Sequence, residues 1–287
     1  MTTDRQIQFP CFRTERIPSD STDTLPEGEA ILDTQLREGL SELYRPADGL
    51  FLSALSAGLD IGFGPLLMAV LLTTVGISNA DEVSTRLLVS LAYGVGFILV
   101  VLGRSELFTE HTTLAVLPVI DGRASVARLG RLWALVYVGN VVGAVVFTLV
   151  AVPVTTGLGV TEPAAFVELA TTFTEHDWSV LLGGAVLAGW LMGLLSWLVA
   201  AVDSSMARLA VVWLIATAIG LAHLPHSIAG TVEVFAGTVA GSVTLVDFGR
   251  FLAFTTLGNA VGGTVFVALL KYGHVVRGGP STEDVKE

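Results

Sequence analysis

The sequence predicts an all-α integral membrane protein made of two related three-helix halves in opposite orientation, and three observations predict it. The 287-residue chain is 52% hydrophobic and 14% charged, with a mean hydropathy of +0.73, whereas a soluble domain carries about 25% charged residues. Its charges gather at the ends and in short loops, leaving the stretch from Leu50 to Leu270 dominated by Leu, Val, Ala and Gly. The pattern G-N-x-x-G occurs twice, as GNVVGA at 139–144 and GNAVGG at 258–263, each after an apolar segment broken by polar residues.

Residues 1–46 read as a polar, acidic leader. Its second part, LPEGEAILDTQLREGLSELYRP, sets Ile31, Leu32, Leu36, Leu40 and Leu43 at helical spacing and stops at Pro46. That spacing predicts a short amphipathic helix beside the membrane, or a solvated tail with helical tendency. No apolar stretch follows a basic start, so insertion is expected to be directed by the first spanning segment rather than by a signal peptide. The spanning domain is expected over 47–271 and a polar tail over 272–287.

A spanning helix needs roughly 20 mostly apolar residues. Candidates are 50–75, 87–102 continuing toward 119, 132–153, 180–201, 209–239 and 248–270. The second is interrupted by GRSELFTEHTT at 103–113 and the fifth by GLAHLPHS at 220–227, which contains Pro225. Three passes in each half, about 50–156 and 179–271, make the second half the inverse of the first. The paired G-N-x-x-G motifs let backbones approach closely, and each is expected to pack on the broken helix before it. Non-helical backbone at membrane depth is tolerated only where it is buried in protein or lines a cavity, so two symmetric breaks predict a polar passage. The helices are expected to restart near Thr109–Thr112 and near Ser227, with hydroxyl N-caps. Their amide ends then favour anions.

The loops divide by charge. Arg123, Arg128, Arg131, Arg208, Lys271 and Arg277 lie on one side. The other holds Arg86 and Arg250 among Asp81, Glu82, Glu162, Glu168, Glu175, Asp177 and Asp247. The positive-inside rule then puts both termini, with the leader's Arg5, Arg13, Arg16, Arg37 and Arg45, on the cytoplasmic side of the cell's inner membrane. The excess of 26 acidic over 15 basic residues, with Lys271 and Lys286 the only lysines, suits surfaces facing concentrated salt or reflects drift in base composition. With no clustered basic patch, nucleic acid is excluded as a partner. A single cysteine, Cys11, excludes an internal disulfide. His223 and His226 form H-x-x-H, but no third and fourth ligand complete a site, so neither metal nor cofactor is expected. No nucleophile–base pair points to an enzyme.

These residues carry a resemblance. SELFTEHTTLAVLPVIDGRAS at 105–125, GNVVGA, the HSIAG that follows Pro225, and GNAVGG resemble the formate/nitrite transporter family in content and order over roughly 50–270. The resemblance implies an aquaporin-like fold of six helices, a homopentamer with one pore per protomer, and passage of small monovalent anions or their conjugate acids. It also implies that Leu107, Phe108 and Thr109 form a slit within the second helix. Tyr93, Phe97 and Ile219 fall on its apolar constriction, and His226 on its central histidine. Two departures stand out: Trp190 lies near a position where the family carries an asparagine, and no lysine precedes the fourth span.

Intramembrane ionisable residues are rare and usually functional. His226 is expected either to donate to a passing anion or share a proton with it, or to hold the break in shape through a loop carbonyl. Arg104, Glu106, Glu110, His111 and Glu233 sit in or beside the breaks. Arg104 is expected to pair with Glu233 or Glu106 and pin the loop, as a structural pair or as a selectivity element. The leading expectation is a channel or secondary transporter for small monovalent anions. The competing readings are a neutral small-solute channel, against which His226 and the absence of NPA repeats count, and a non-transporting assembly or sensor that keeps the fold.

Overall fold

A computed structural model describes residues 27–278. The expectations for residues 1–26 of the leader and for the tail from 279 lie outside the described residues. The described residues begin with α1 (Gly28–Tyr44), α2 (Ala47–Ile61) and α3 (Phe63–Val75), the last two joined through Gly62 into one crossing. A turn at Ile77–Asn79 leads to α4 (Val83–Gly103), where the first break begins. Two single-turn helices follow, α5 (Phe108–His111) and α6 (Leu117–Ile120), and then the 32-residue α7 (Val126–Gly157). The second half runs through α8 (Pro163–Thr174), α9 (Trp178–Ala200), α10 (Ser205–Leu221) and α11 (Ala229–Val239). It closes with α12 (Leu245–Gly263), a π-helical stretch at Thr264–Leu269, and α13 (Leu270–Val276). Among the described residues, five helices are long and apolar enough to cross a membrane, and the shorter apolar helices α10 and α11 occupy the stretch where the broken fifth span was expected.

Glycines bring the long helices into backbone contact. In the first half α2 packs on α7, where a Cβ at Gly58 would lie 2.2 Å from the Asn140 carbonyl oxygen and one at Gly143 2.4 Å from that of Leu55. In the second half α9 packs on α12 in the same way, with Gly189 2.2 Å from the Asn259 carbonyl and Gly262 2.2 Å from that of Val186. The G-N-x-x-G motifs therefore pack on the first long helix of their own half, not on the broken helix as expected. Only the intact partner offers a continuous groove for a small-residue stripe.

Two segments add to the sequence expectation. The helix α1 is amphipathic as expected, and its apolar face is covered by protein. It docks on the bundle, burying Ile31, Leu32 and Leu36 against Val116, Leu117, Trp197, Ala201 and Ala268. Gln35, fully enclosed, donates from Nε2 to the Ser196 carbonyl at 3.1 Å and accepts from Ser196 Oγ at 3.2 Å. A polar side chain on the buried face needs a protein partner, which lipid does not offer. The acidic loop after α7 contains α8, whose Ala165, Phe166, Leu169, Ala170 and Phe173 are buried beside α11 and α3. Opposite ends of the bundle are thus covered by α1 and by α8. Outward-facing residues such as Val146, Leu149, Leu187, Leu257 and Leu269 remain exposed, as an environment of hydrocarbon or neighbouring protomers requires.

Candidate functional site

The two breaks are built alike. Helices α4 and α10 each end in a left-handed residue, Arg104 (φ 56°) and His223 (φ 47°), the non-glycine positions with positive φ among the described residues. In both, the following amide reaches back to close the turn, Ser105 to the Val100 carbonyl at 3.1 Å and Leu224 to that of Ile219 at 3.0 Å, the Schellman arrangement. A left-handed non-glycine residue costs roughly 1–2 kcal/mol, so each break is held by its surroundings.

What holds them is an asparagine from each G-N-x-x-G motif. Asn140 Oδ1 accepts from the Phe108 amide at 2.8 Å, while its Nδ2 donates to the carbonyls of Ala54 (2.7 Å) and Glu106 (2.8 Å). Asn259 repeats the network. It accepts from the Ser227 amide at 2.8 Å and donates to the carbonyls of Ala185 (2.8 Å) and Pro225 (3.0 Å). The capped amide lies 32 residues before its asparagine in both halves. The expected hydroxyl caps are therefore replaced by side-chain amides from a neighbouring helix. Thr109 and Ser227 do not cap: Thr109 Oγ1 faces His226, and Ser227 Oγ has no partner among the described residues. An amide both accepts and donates, so one residue satisfies backbone on either side of the break.

The breaks meet at His226 and Thr109, both fully buried, with Nε2 and Oγ1 2.8 Å apart. The histidine's other nitrogen, Nδ1, accepts from the Ala229 amide at 3.1 Å and so caps the start of α11. That acceptor role fixes the tautomer: the ring proton is on Nε2 and is donated to Thr109 Oγ1. Aromatic rings lead away from this contact. Phe97 packs edge-on to the imidazole with centroids 5.1 Å apart, and Tyr93 lies 5.1 Å beyond Phe97. Tyr93 and Ile219 then line a cavity of about 420 Å³ on the α8 side, with Ser90, Phe173, His223 and Glu233. Toward the α1 side Leu107 is fully buried, and Phe108 packs on Trp133 (5.7 Å) and Tyr137 (5.1 Å). The sequence-selected residues Tyr93, Phe97, Leu107, Phe108, Thr109, Ile219 and His226 thus form one buried column.

The expected charge network is arranged differently. Arg104 is exposed at the end of α4 and joins no ion pair among the described residues, with Glu106 or with Glu233. Its left-handed backbone turns the chain at a helix end, and this directs the side chain outward. Arg45, just after α1, takes its place, with Nη1 at 2.7 Å from Glu106 Oε1 and 3.1 Å from Glu42 Oε2. Glu106 Oε2 also meets His111 Nε2 at 2.5 Å, and the Trp133 indole donates to the His111 carbonyl at 3.1 Å. Glu110, half-buried, lies between them on α5. Burial, and then the neighbouring Glu106, raise the Glu42 carboxyl above its ordinary value. Glu233 lies on α11, buried and, among the described residues, without a partner for Oε1. Sequence reasoning missed Asn140, Asn259, Glu42 and the role of Arg45. The asparagines carried a signal, as amides repeated at one position in two apolar spans. Among the described residues, no group of three or more His, Cys, Asp or Glu is placed to hold a metal.

Comparison with known proteins identifies the family and the fold. The profile of the family described as formate/nitrite transporter matches residues 29–273. The chain is 30% identical to the inner membrane protein YfdC of Escherichia coli over 259 residues, covering 88% of this chain and 81% of that one. It is 32% identical to a probable formate transporter of Methanothermobacter thermautotrophicus, covering 75% and 84%. It is 30% identical to the nitrite transporter NirC of Salmonella typhimurium, covering 77% and 81%. Among solved structures it resembles an FNT family ion channel (TM-score 0.73, 24% identity, 88% of this chain and 98% of that one). It also resembles a pentameric formate channel with formate bound (TM-score 0.67, 24% identity, 80% and 98%). The fold is the aquaporin-like, multi-pass α-helical one of those channels. With its paired breaks, its two asparagine caps and a profile match spanning nearly every described residue, the chain belongs to the formate/nitrite transporter family, whose members are membrane channels and transporters, not enzymes.

Proposed function

We propose that each protomer is a channel or secondary transporter for small monovalent anions such as formate or nitrite. The carrying observation is the buried contact between His226 Nε2 and Thr109 Oγ1, where the two breaks meet. The His226 N–H, once turned from Thr109, and the Thr109 O–H offer an oxyanion hydrogen bonds in place of its hydration shell. Solute enters from the cavity on the α8 side and passes Tyr93, Phe97 and Ile219 to this pair. It leaves through the slit of Leu107 and Phe108, which Arg45 and Glu106 tie to α1. Because Phe97, Ile219, Leu107 and His226 are fully buried, passage requires the slit and the ring column to open transiently. The assembly is a homopentamer in the inner membrane with both termini cytoplasmic. The loop charges support that orientation, and the relatives' own descriptions support the assembly and the membrane. The test is flux of formate, nitrite, acetate and chloride into proteoliposomes, with and without a pH gradient. Uptake of formate or nitrite above protein-free vesicles supports the reading. No anion flux at any pH from well-formed oligomers defeats it, and flux of only uncharged solutes replaces it with a neutral-solute channel.

A further inference from the structure

The α8-side cavity of about 420 Å³ is electrically one-sided. Asp81, Glu168, Glu175 and Glu233 line it against a single arginine, Arg86, with His176 and His223 beside them. Arg86 turns to the end of α10, where its Nη2 donates to the Leu221 carbonyl at 3.4 Å. It forms no ion pair with these carboxylates among the described residues. The backbone adds to the imbalance. Helices α3, α8 and α10 meet the cavity through their C-terminal halves, with Leu72, Phe173 and Gly220 close to the three helix ends. A helix C-terminus carries the negative end of the macrodipole and favours cations. Only α4 enters from its N-terminal half, and the start of α11 is capped by His226 Nδ1.

The neutral oxygens of the lining are acceptors as well. Ser90 Oγ donates to the Arg86 carbonyl at 2.6 Å, Thr171 Oγ1 to the Val167 carbonyl at 3.0 Å and Thr172 Oγ1 to the Glu168 carbonyl at 3.0 Å. Each hydroxyl proton is spent on its own helix, and the lone pairs remain. Glu233 is the buried member of the four carboxylates, 3% exposed and without a partner for Oε1 among the described residues. Its other side faces a small apolar pocket formed by Pro65, Phe147, Phe166 and Val232. A carboxylate so enclosed needs a counter-charge. A proton neutralises Glu233 alone, whereas the other carboxylates and the three helix ends draw a full positive charge into the same space. Among the described residues no group of three or more His, Cys, Asp or Glu is placed together. One buried carboxylate among neutral oxygens therefore matches a single charge, not a divalent ion.

We propose that this cavity binds a small monovalent cation, an alkali-metal ion or ammonium, with the Glu233 carboxylate as its charged partner and lining hydroxyls and water as the rest of its shell. The bound cation offsets the carboxylate field of the cavity, which otherwise repels an arriving anion, so anion uptake depends on it. That dependence rests on the anion-transport reading above; the binding does not.

The test uses the purified full-length oligomer, with sodium, potassium and ammonium chloride as probes and N-methylglucamine chloride holding the ionic strength, and so the screening, constant. A ligand of the folded state raises the thermal unfolding midpoint by mass action. A saturable rise with at least one of the three cations is expected in wild type. Tighter half-saturation by ammonium than by sodium or potassium assigns the site to ammonium, and the reverse assigns it to an alkali ion. E233Q is expected to weaken half-saturation by about tenfold or more, the scale of a lost buried charge partner. Should E233Q fail to assemble, E233D decides instead, with a several-fold weakening expected. No saturable rise in wild type with any of the three cations, the behaviour of a Glu233 that stays protonated, overturns the site. So does half-saturation unchanged in the variant. In proteoliposomes, formate uptake is expected to fall about tenfold or more when N-methylglucamine replaces the small cations, the lower end of electrostatic focusing; equal uptake in every salt overturns the dependence. Saturable cation binding without formate flux in any salt defeats the transport reading alone. Formate flux without cation binding overturns the cation site alone.

Discussion

Replacing Asn140 or Asn259 with alanine removes the whole cap of one break. Each substitution deletes three hydrogen bonds of 2.7–3.0 Å and leaves one amide (Phe108 or Ser227) and one carbonyl (Glu106 or Pro225) unpaired in the interior, while the carbonyls of Ala54 and Ala185 stay within the ladders of α2 and α9. A net contribution of about 1 kcal/mol per bond gives about 3 kcal/mol. The stranded groups add to this wherever water cannot reach them, so the expected loss is roughly 3–5 kcal/mol, near the top of the range for single substitutions. Because the two networks match, N140A and N259A should cost similar amounts, and being separate they should combine almost additively. Unfolding of the purified oligomer in a detergent–denaturant titration measures both. A loss below about 1 kcal/mol in either variant, or a large loss in one and none in the other, refutes the assignment of the asparagines as symmetric caps.

Three further outcomes follow from the same structure. G58A and G189A drive a Cβ to 2.2 Å from a backbone carbonyl and should abolish recovery of folded protein, since backbone offers no flexible end to move. G183A, with nothing within 4 Å, should be neutral or stabilising by up to about 1 kcal/mol; equal yields of all three variants contradict the close packing. R45Q breaks the pairs that tie the end of α1 to the first break. Limited proteolysis between α1 and α2 should then accelerate several-fold, and unchanged cleavage contradicts that tether. The raised Glu42 carboxyl means that docked α1 binds its proton more tightly than free α1. Docking is therefore strongest at or below the ordinary value of 4.5 and weakens as pH rises through the raised value. Faster cleavage at about pH 8 than at about pH 5, flattened in E42Q, is the expected pattern; the opposite slope rejects it.

Much of the fold was legible because hydrocarbon restricts backbone choices: six apolar stretches, two interruptions and one repeated motif leave few arrangements. That Tyr93, Phe97, Thr109 and His226 lie together in the interior was implied by the family resemblance. The partners of polar groups were harder to read. The stripe of Ile31, Leu32 and Leu36 fits a membrane surface as well as a protein face, and only Gln35 on the same stripe marks the latter. Arg104 looked like a buried charge in need of a carboxylate, whereas the helix ends there with left-handed backbone and Arg45 meets Glu106 from a distant helix. The glycines of G-N-x-x-G signalled close packing, but their packing face was hidden. The asparagine between them served a different element, a relation visible only once both breaks are in place.

The central claim is that a weak-acid anion crosses each protomer through the contact of His226 with Thr109. Formate uptake into proteoliposomes by wild type and by T109V, an isosteric change that removes only the hydroxyl at 2.8 Å from the imidazole, tests it most directly. The account predicts wild-type uptake well above protein-free vesicles and a loss of about tenfold or more in T109V with oligomers intact, as for a stripped polar partner in a desolvated site. Uptake by T109V equal to wild type contradicts it.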